Sequence, residues 1–471
     1  MLRRQTRKFG LLHDVLGLFD TSSTGFIVGS YPPNRALPDH QVMERKDTVP
    51  QLQCTTLKNG VRVVTQSTSF PTSVHMGVSI NAGTRDETFK NSSVVHALKA
   101  TYLKTNARTN EQINYGMIQM SGGDFEMNYN QEFMNYYGHC LGHDVYDMTQ
   151  MMSDCVLDEK TFLDEEAAQW RIDEYWKNRD MRLTNRKRLD EVWLTTAYGY
   201  NGYGMPLEGL QSNFQNIGFY YMNQFRKQYI TPDRMVVWGA GINNHEEFVD
   251  TMTPYFGTLD AAKAPERAPS KYLGGEFREI LDSELTHVSL GFHGFGRNDK
   301  DVVAAYVLKY LIGTTGTGIQ NRAYTRFHEK YPWIAYVDPH HATFEDTGNF
   351  RINLAVPHGK TGELSELLVK ELQDLQNVTE EEVQRAKNKF KRVTAEKLEN
   401  TVSCMNKTTN DFMQTGKLLS EEDNLKMIDA VTTDQVKNAA KKMLQSYPTL
   451  VVLGRDTHGI YTADKFHSNL K

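Results

Sequence analysis

Residues Val94–Thr105 (V-V-H-A-L-K-A-T-Y-L-K-T) carry the outline of a zinc-hydrolase spacing, H-x-x-E-H. On a helix that spacing turns two imidazoles toward one metal ion and sets a carboxylate beside the water the metal activates. Only His96 is kept here. Lys99 stands at the glutamate position and Ala100 at the second histidine. One ligand is therefore missing, and the general base has become a cation that repels the ion it should assist. The segment has the outline of a hydrolytic centre without its chemistry.

No other segment supplies what is missing. His328-Glu329 begins F-H-E-K-Y-P, but H-E-x-x-H needs histidine where Pro332 stands. His139 and His143 are four apart within a run, M-N-Y-Y-G-H-C-L, that reads as strand and would separate them. His340 and His341 are adjacent, so a strand would point them to opposite faces. We read all three sets as structural. Neither a phosphate-binding glycine loop nor a dinucleotide fingerprint is present.

The elements that would hold such a centre are organised as a repeat. T-S-V-H-M-G-V-S-I (Thr72–Ile80) alternates like a half-buried strand, and L-T-H-V-S-L-G-F-H-G-F-G-R (Leu285–Arg297) does the same, with His75 and His287 in register 212 residues apart. D-R-M-V-V-W-G (Asp233–Gly239) and P-T-L-V-V-L-G (Pro448–Gly454) form a second pair offset by 215. Each follows a helical pattern, Met222–Tyr229 and Asp434–Leu444. Two landmarks sharing nearly one offset imply an internal duplication.

The expected organisation is a basic extension (1–51), a first domain (52–258), a Pro-interrupted linker (259–271) and a second domain (272–471). Strands come early in each half, around Lys58-Asn59-Gly60 and in Val74–Ile80. Helical patterns follow at Val145–Val156, Asp164–Lys177 and Glu381–Glu399. That order predicts an α+β fold of two homologous domains, each a mainly antiparallel sheet packed with helices.

Composition narrows the function. With 53 Lys and Arg against 58 Asp and Glu, the net charge is -5 and no basic stripe stands out, which argues against nucleic acid. Cys54, Cys140, Cys155 and Cys404 have no C-x-x-C spacing and read as thiols in a reducing compartment. The longest apolar run, Val302–Ile312, is too short to span a bilayer and contains Lys309. The start, M-L-R-R-Q-T-R-K-F-G, is basic and acid-free ahead of Leu11, Leu12, Val15, Leu16 and Leu18. It reads as a mitochondrial targeting segment, with a solvated basic tail as the alternative.

Five features occur in one order: T-L-K-N-G-V-R-V-V, N-A-G-T-R-D-E, the altered His96 motif, M-S-G-G-D-F-E-M-N-Y-N-Q-E-F-M-N-Y-Y (Met120–Tyr137) and the V-V-W-G strand. With the duplication enclosing them, the chain resembles the pitrilysin-type (M16) family over about residues 52–460. Within it, the resemblance is to the subunits of the mitochondrial processing peptidase and the core proteins of respiratory complex III.

The resemblance carries expectations. Active members add a glutamate ligand some seventy to eighty residues after the motif, where Glu174 stands, with Ala167 in place of the supporting acid. His96, Lys99, Ala100 and Glu174 are then relic positions, and the chain is a non-catalytic homologue that binds no zinc, haem or quinone. The α subunit of the processing peptidase has a long glycine-rich loop for capturing presequences. The matching segment here, Gly313–Arg326, is shorter and keeps Gly313, Gly316 and Gly318; its plainer reading is a turn that opens a helix.

The altered motif with its lysine is most similar to the core protein 2 branch. That implies a structural subunit of complex III on the matrix side of the inner mitochondrial membrane. It would pair with a homologous core or β subunit, in a complex with cytochrome b, cytochrome c1 and the Rieske protein. The alternative is the presequence-binding α subunit of the processing peptidase, for which Glu345, Asp346 and the Asp154–Glu166 cluster would face cationic presequences.

Overall fold

A computed structural model of the chain describes residues 51–67, 73–103, 105, 122–158, 185–210, 212–213, 217–315 and 321–471. Glu174, Ala167, the Asp164–Lys177 pattern, Gly316, Gly318 and the basic N-terminal segment lie outside them. The described residues fall within one compact unit, Pro50–Lys471.

Two sheets organise this unit. The first contains β1 (Leu52–Thr56), β2 (Arg62–Gln66), β3 (Ser73–Ile80), β4 (Asp124–Tyr129), β5 (Met134–Leu141) and β6 (Met235–Ala240), in the order β1-β2-β6-β3-β5-β4. The second contains β7 (Gly275–Ile280), β8 (Leu285–His293), β9 (Tyr336–Thr343), β10 (Gly348–Pro357) and β11 (Thr449–Gly454), in the order β7-β11-β8-β10-β9. Apart from β1 the orders coincide. In each sheet one parallel pair, β2 with β6 and β7 with β11, joins an otherwise antiparallel ladder. The duplication read from the sequence is thus a duplication of topology.

The first half carries helices α1 (Val94–Ala100), α2 (Val145–Leu157), α3 (Asn185–Tyr198), α4 (Phe219–Tyr229) and α5 (His245–Phe256). The second half carries α6 (Val302–Ile312), α7 (Thr361–Gln373), α8 (Glu380–Glu399), α9 (Thr401–Thr415), α10 (Glu421–Asp429), α11 (Thr433–Leu444) and α12 (Ala463–Leu470). Their limits follow local rules. Thr379 and Glu382 form a reciprocal capping box on α8, and Thr432 with Gln435 does the same on α11.

The sheets explain why β6 and β11 read as unbroken apolar runs rather than alternating ones. All six residues of each are buried, because both sheet faces are covered. On β6, Met235 and Val237 join the core of the first half, while Val236, Trp238 and Ala240 pack with Met405 of α9. On β11, Leu450 and Val452 join the core of the second half, while Val451 and Leu453 pack with Leu189, Trp193, Leu194 and Ala197 of α3. Each sheet therefore takes its second cover from the other half. Trp193 Nε1 donates to the Thr449 carbonyl at 3.2 Å, and Ser79 Oγ lies 3.1 Å from Thr409 Oγ1.

The close approach under Trp238 depends on Gly77. A Cβ there would lie 2.6 Å from the indole and 2.5 Å from the Tyr136 carbonyl.

Candidate functional site

The altered motif sits on α1, whose seven residues follow a strained start. Ser93, the residue before the helix, holds φ +86°, a left-handed conformation rare for a side-chain-bearing residue. The fully buried Glu87 holds it there: its carboxylate accepts the N–H of Ser93 at 3.1 Å and of Val95 at 2.8 Å. These are among the N–H groups a helix start leaves without intrahelical partners. Burial pushes the Glu87 carboxyl up to about 8, against the pull of those N–H donors.

His96 is buried and 2.8 Å from the Tyr129 hydroxyl through Nδ1. Lys99 turns to β4, with Nζ 3.1 Å from Asn128 Oδ1 and 5.9 Å from the centre of the Tyr129 ring. Ala100 packs partly buried against the first-half core. The helix thus brings His96, Lys99 and Tyr129 together, with an ammonium where a zinc site needs a carboxylate. Among the described residues no three His, Cys, Asp or Glu side chains group so as to hold a metal ion.

The remaining histidines are placed as their strands require. His139 lies on β5, 2.8 Å from Asp124 Oδ1, and His143 lies in the turn beyond the strand. His340 bonds Asp338 at 3.0 Å, while His341 is buried against Tyr306, and burial with Lys309 nearby lowers its pKa to about 3.

Gly313 ends α6 with φ +68°, a Cβ there would lie 2.5 Å from the Asn321 side chain, and the segment it begins leads to a helical turn at Ala323–His328. The carboxylates of Glu345 and Asp346, both partly exposed, are held by arginines. Glu345 pairs with Arg85 at 3.1 Å and Arg267 at 2.9 Å, and Asp346 pairs with Arg85 at 3.4 Å.

Those pairs belong to a buried junction between the halves that the sequence did not announce. Glu132, in the β4–β5 turn, accepts the Tyr203 hydroxyl (2.7 Å), the Glu345 N–H (2.7 Å) and Gln414 Nε2 (2.9 Å), and pairs with Arg85 at 3.5 Å. Arg85 also bonds the Tyr203 hydroxyl. Arg267, from the segment read as a linker, reaches Asp86 at 2.7 Å and Asn81 Oδ1 at 2.7 Å. Burial and the adjacent Glu132 carboxylate push the Tyr203 pKa far above its usual value, so it remains a donor. The one signal in the sequence was the charged triplet Arg85, Asp86 and Glu87 within N-A-G-T-R-D-E.

Comparison with known proteins agrees with this fold. Residues 62–209 match the insulinase family (peptidase family M16), and residues 220–390 match the peptidase M16 inactive domain. The chain belongs to the M16 family.

Among curated relatives, the mitochondrial-processing peptidase subunit alpha of Solanum tuberosum is 26% identical over 85% of this chain and 82% of its own length. The ubiquinol-cytochrome-c reductase complex core protein I of Euglena gracilis is 27% identical over 82% and 84%. The processing peptidase subunit beta of Neurospora crassa is 26% identical over 83% and 85%. A chain in the solved structure of complex III2 from Candida albicans, bound to Inz-5, superposes with a TM-score of 0.77. It is 18% identical and covers 89% of this chain and 100% of that one, a likeness of fold.

Proposed function

We propose that this chain is a non-catalytic, structural core subunit of mitochondrial respiratory complex III. It pairs with a homologous M16 subunit and lies on the matrix side of the inner membrane beneath cytochrome b, cytochrome c1 and the Rieske protein. The observation that carries this reading is the α1 site: one buried imidazole bonded to Tyr129, flanked by Lys99 and Ala100. Relatives named as core and processing-peptidase subunits, matched along most of their length, support the assembly. A curated relative of core type is a core protein I, so the proposal is made at the level of core subunit rather than branch. No helix among the described residues is long and apolar enough to cross a membrane, which suits a peripheral subunit.

His96, Lys99 and Ala100 are, on this reading, relics of a lost centre. The test is direct. The purified chain, alone and with added zinc, is incubated with a cationic presequence peptide, and cleavage is followed by mass spectrometry. No cleavage is expected; cleavage that chelation abolishes and zinc restores would overturn the reading.

The second reading is the α subunit of a processing peptidase, favoured by the similarity to subunits of that name. On that reading Glu345 and Asp346 would have to be drawn from Arg85 and Arg267 to meet a presequence.

A further inference from the structure

Lys309 is the single charged residue of α6, V-V-A-A-Y-V-L-K-Y-L-I. The helix packs between α8 and the edge strand β9. Tyr306 and Tyr310 stack on Phe390 with ring centres 5.5 and 5.0 Å apart, and Tyr306 meets the His341 ring edge-on at 4.4 Å. Lys309, three residues beyond Tyr306, is half-buried and near enough to His341 to disfavour its protonation.

A cation drawn out of water ordinarily has an acid beside it. Among the described residues Lys309 has none. Its one contact is the Tyr310 ring, 5.6 Å away, and the charges that act on it are both positive: Lys397, in the last turn of α8, and Arg351 on β10. Burial, then those two cations, bring its pKa down to about 8. The acids nearby are already engaged. Arg351 pairs with Asp190 at 2.9 Å, and Arg186 of α3 pairs with Asp338, which also holds His340 at 3.0 Å. Two carboxylates thus serve two arginines, and the ammonium groups of Lys309 and Lys397 are left over. His341 adds a further unmatched group. It is 6% exposed, and neither ring nitrogen has a hydrogen-bond partner. Burial keeps the ring neutral, so one of those nitrogens carries a proton to donate.

We propose that Lys309, Lys397 and the His341 ring N–H form a binding site for a doubly charged oxyanion of the phosphate class. A carboxylate would balance only one of the two ammonium groups. A phosphate or phosphate monoester carries about -1.5 to -2 at pH 7 and has acceptor oxygens for all three donors. The site lies wholly within the second half of the chain, on α6, α8 and β9, and is independent of the assembly the chain joins.

The experiment titrates the purified full chain with inorganic phosphate and labels its lysine amines with a trace of isotopic acetic anhydride, read residue by residue by mass spectrometry. Only the unprotonated amine is acylated, so an anion that holds the Lys309 ammonium slows its labelling. Against chloride at equal ionic strength, phosphate should slow labelling of Lys309 by roughly tenfold, the effect of about one pKa unit. Lys426, paired with Glu422 on the surface, should not change. Lys309→Met removes a charge that nothing compensates, so it should weaken phosphate binding in equilibrium dialysis by roughly tenfold or more without lowering the melting temperature. Lys397→Met should weaken binding as well. Phosphatidylcholine vesicles with and without phosphatidic acid form a second arm. Protection by free phosphate assigns the site to a soluble phosphate, and protection by the acidic vesicles alone assigns it to a lipid headgroup. Protection by neither, or phosphate binding unchanged in both variants, overturns the proposal and leaves the core-subunit reading intact.

Discussion

Glu132→Gln tests whether the two halves are held by the buried junction. The side chain of Glu132 is 4% exposed and gathers the Tyr203 hydroxyl, the Glu345 N–H, Gln414 Nε2 and Arg85. Glutamine keeps the shape but removes the charge and turns an N–H₂ group toward groups that are themselves donors. Breaking one side of a buried charge pair costs about 3–5 kcal/mol. Unfolding entropy of about 2.1 cal/mol/K per residue, over the roughly 420 residues of the compact unit, gives about 0.9 kcal/mol/K. The expected fall in melting temperature is therefore ~3–5 °C, read by differential scanning calorimetry of the purified chain. Glu345→Gln, at a side chain 38% exposed, serves as control with a fall of ~1 °C or less. Equal effects from the two variants, or a change below ~1 °C for Glu132→Gln, would refute the junction as a principal tie.

Three further outcomes follow from the geometry. The Glu87 pKa of about 8 lies above its unfolded value, so the folded chain binds the extra proton. The stability this contributes is full below about pH 4.5 and is lost as pH rises through 8. Thermal unfolding at pH 5 and pH 8 should show Glu87→Gln improving relative to wild type as pH rises; a constant difference would sink the assignment. Trp193→Ala removes a fully buried indole that α3 lends to the second sheet and should cost about 3–5 kcal/mol, with slower-migrating, protease-sensitive protein on native gels. Loss below ~1 kcal/mol in urea titration would contradict the exchange of helices. Lys99→Glu with Ala100→His restores the missing ligand types on α1, and the double variant should hold more zinc than wild type by metal analysis after dialysis. Equal zinc in the two would count against α1 as a relic site.

The sequence disclosed the duplication because each repeat preserves strand alternation at β3 and β8 and an apolar run at β6 and β11. The departure from the zinc motif at α1 was legible because Lys99 and Ala100 fall on its fixed positions. The exchange of α3 and α9 stayed hidden: Leu189, Trp193 and Ala197 make an apolar helix stripe, and a stripe does not say which sheet it covers. The ion-pair junction stayed hidden for a related reason. Arg85 and Asp86 lie in a turn, where charge is ordinarily solvated, and their partners Arg267 and Glu345 come from far along the chain.

The account rests on this chain being an architectural M16 subunit. The most direct measurement is native purification in mild detergent through a tag on this chain, with mass-spectrometric identification of what accompanies it. Cytochrome b, cytochrome c1 and the Rieske protein in fixed ratio with a homologous M16 subunit are the predicted result. A lone soluble partner carrying an intact H-x-x-E-H motif, with no haem protein present, would contradict it.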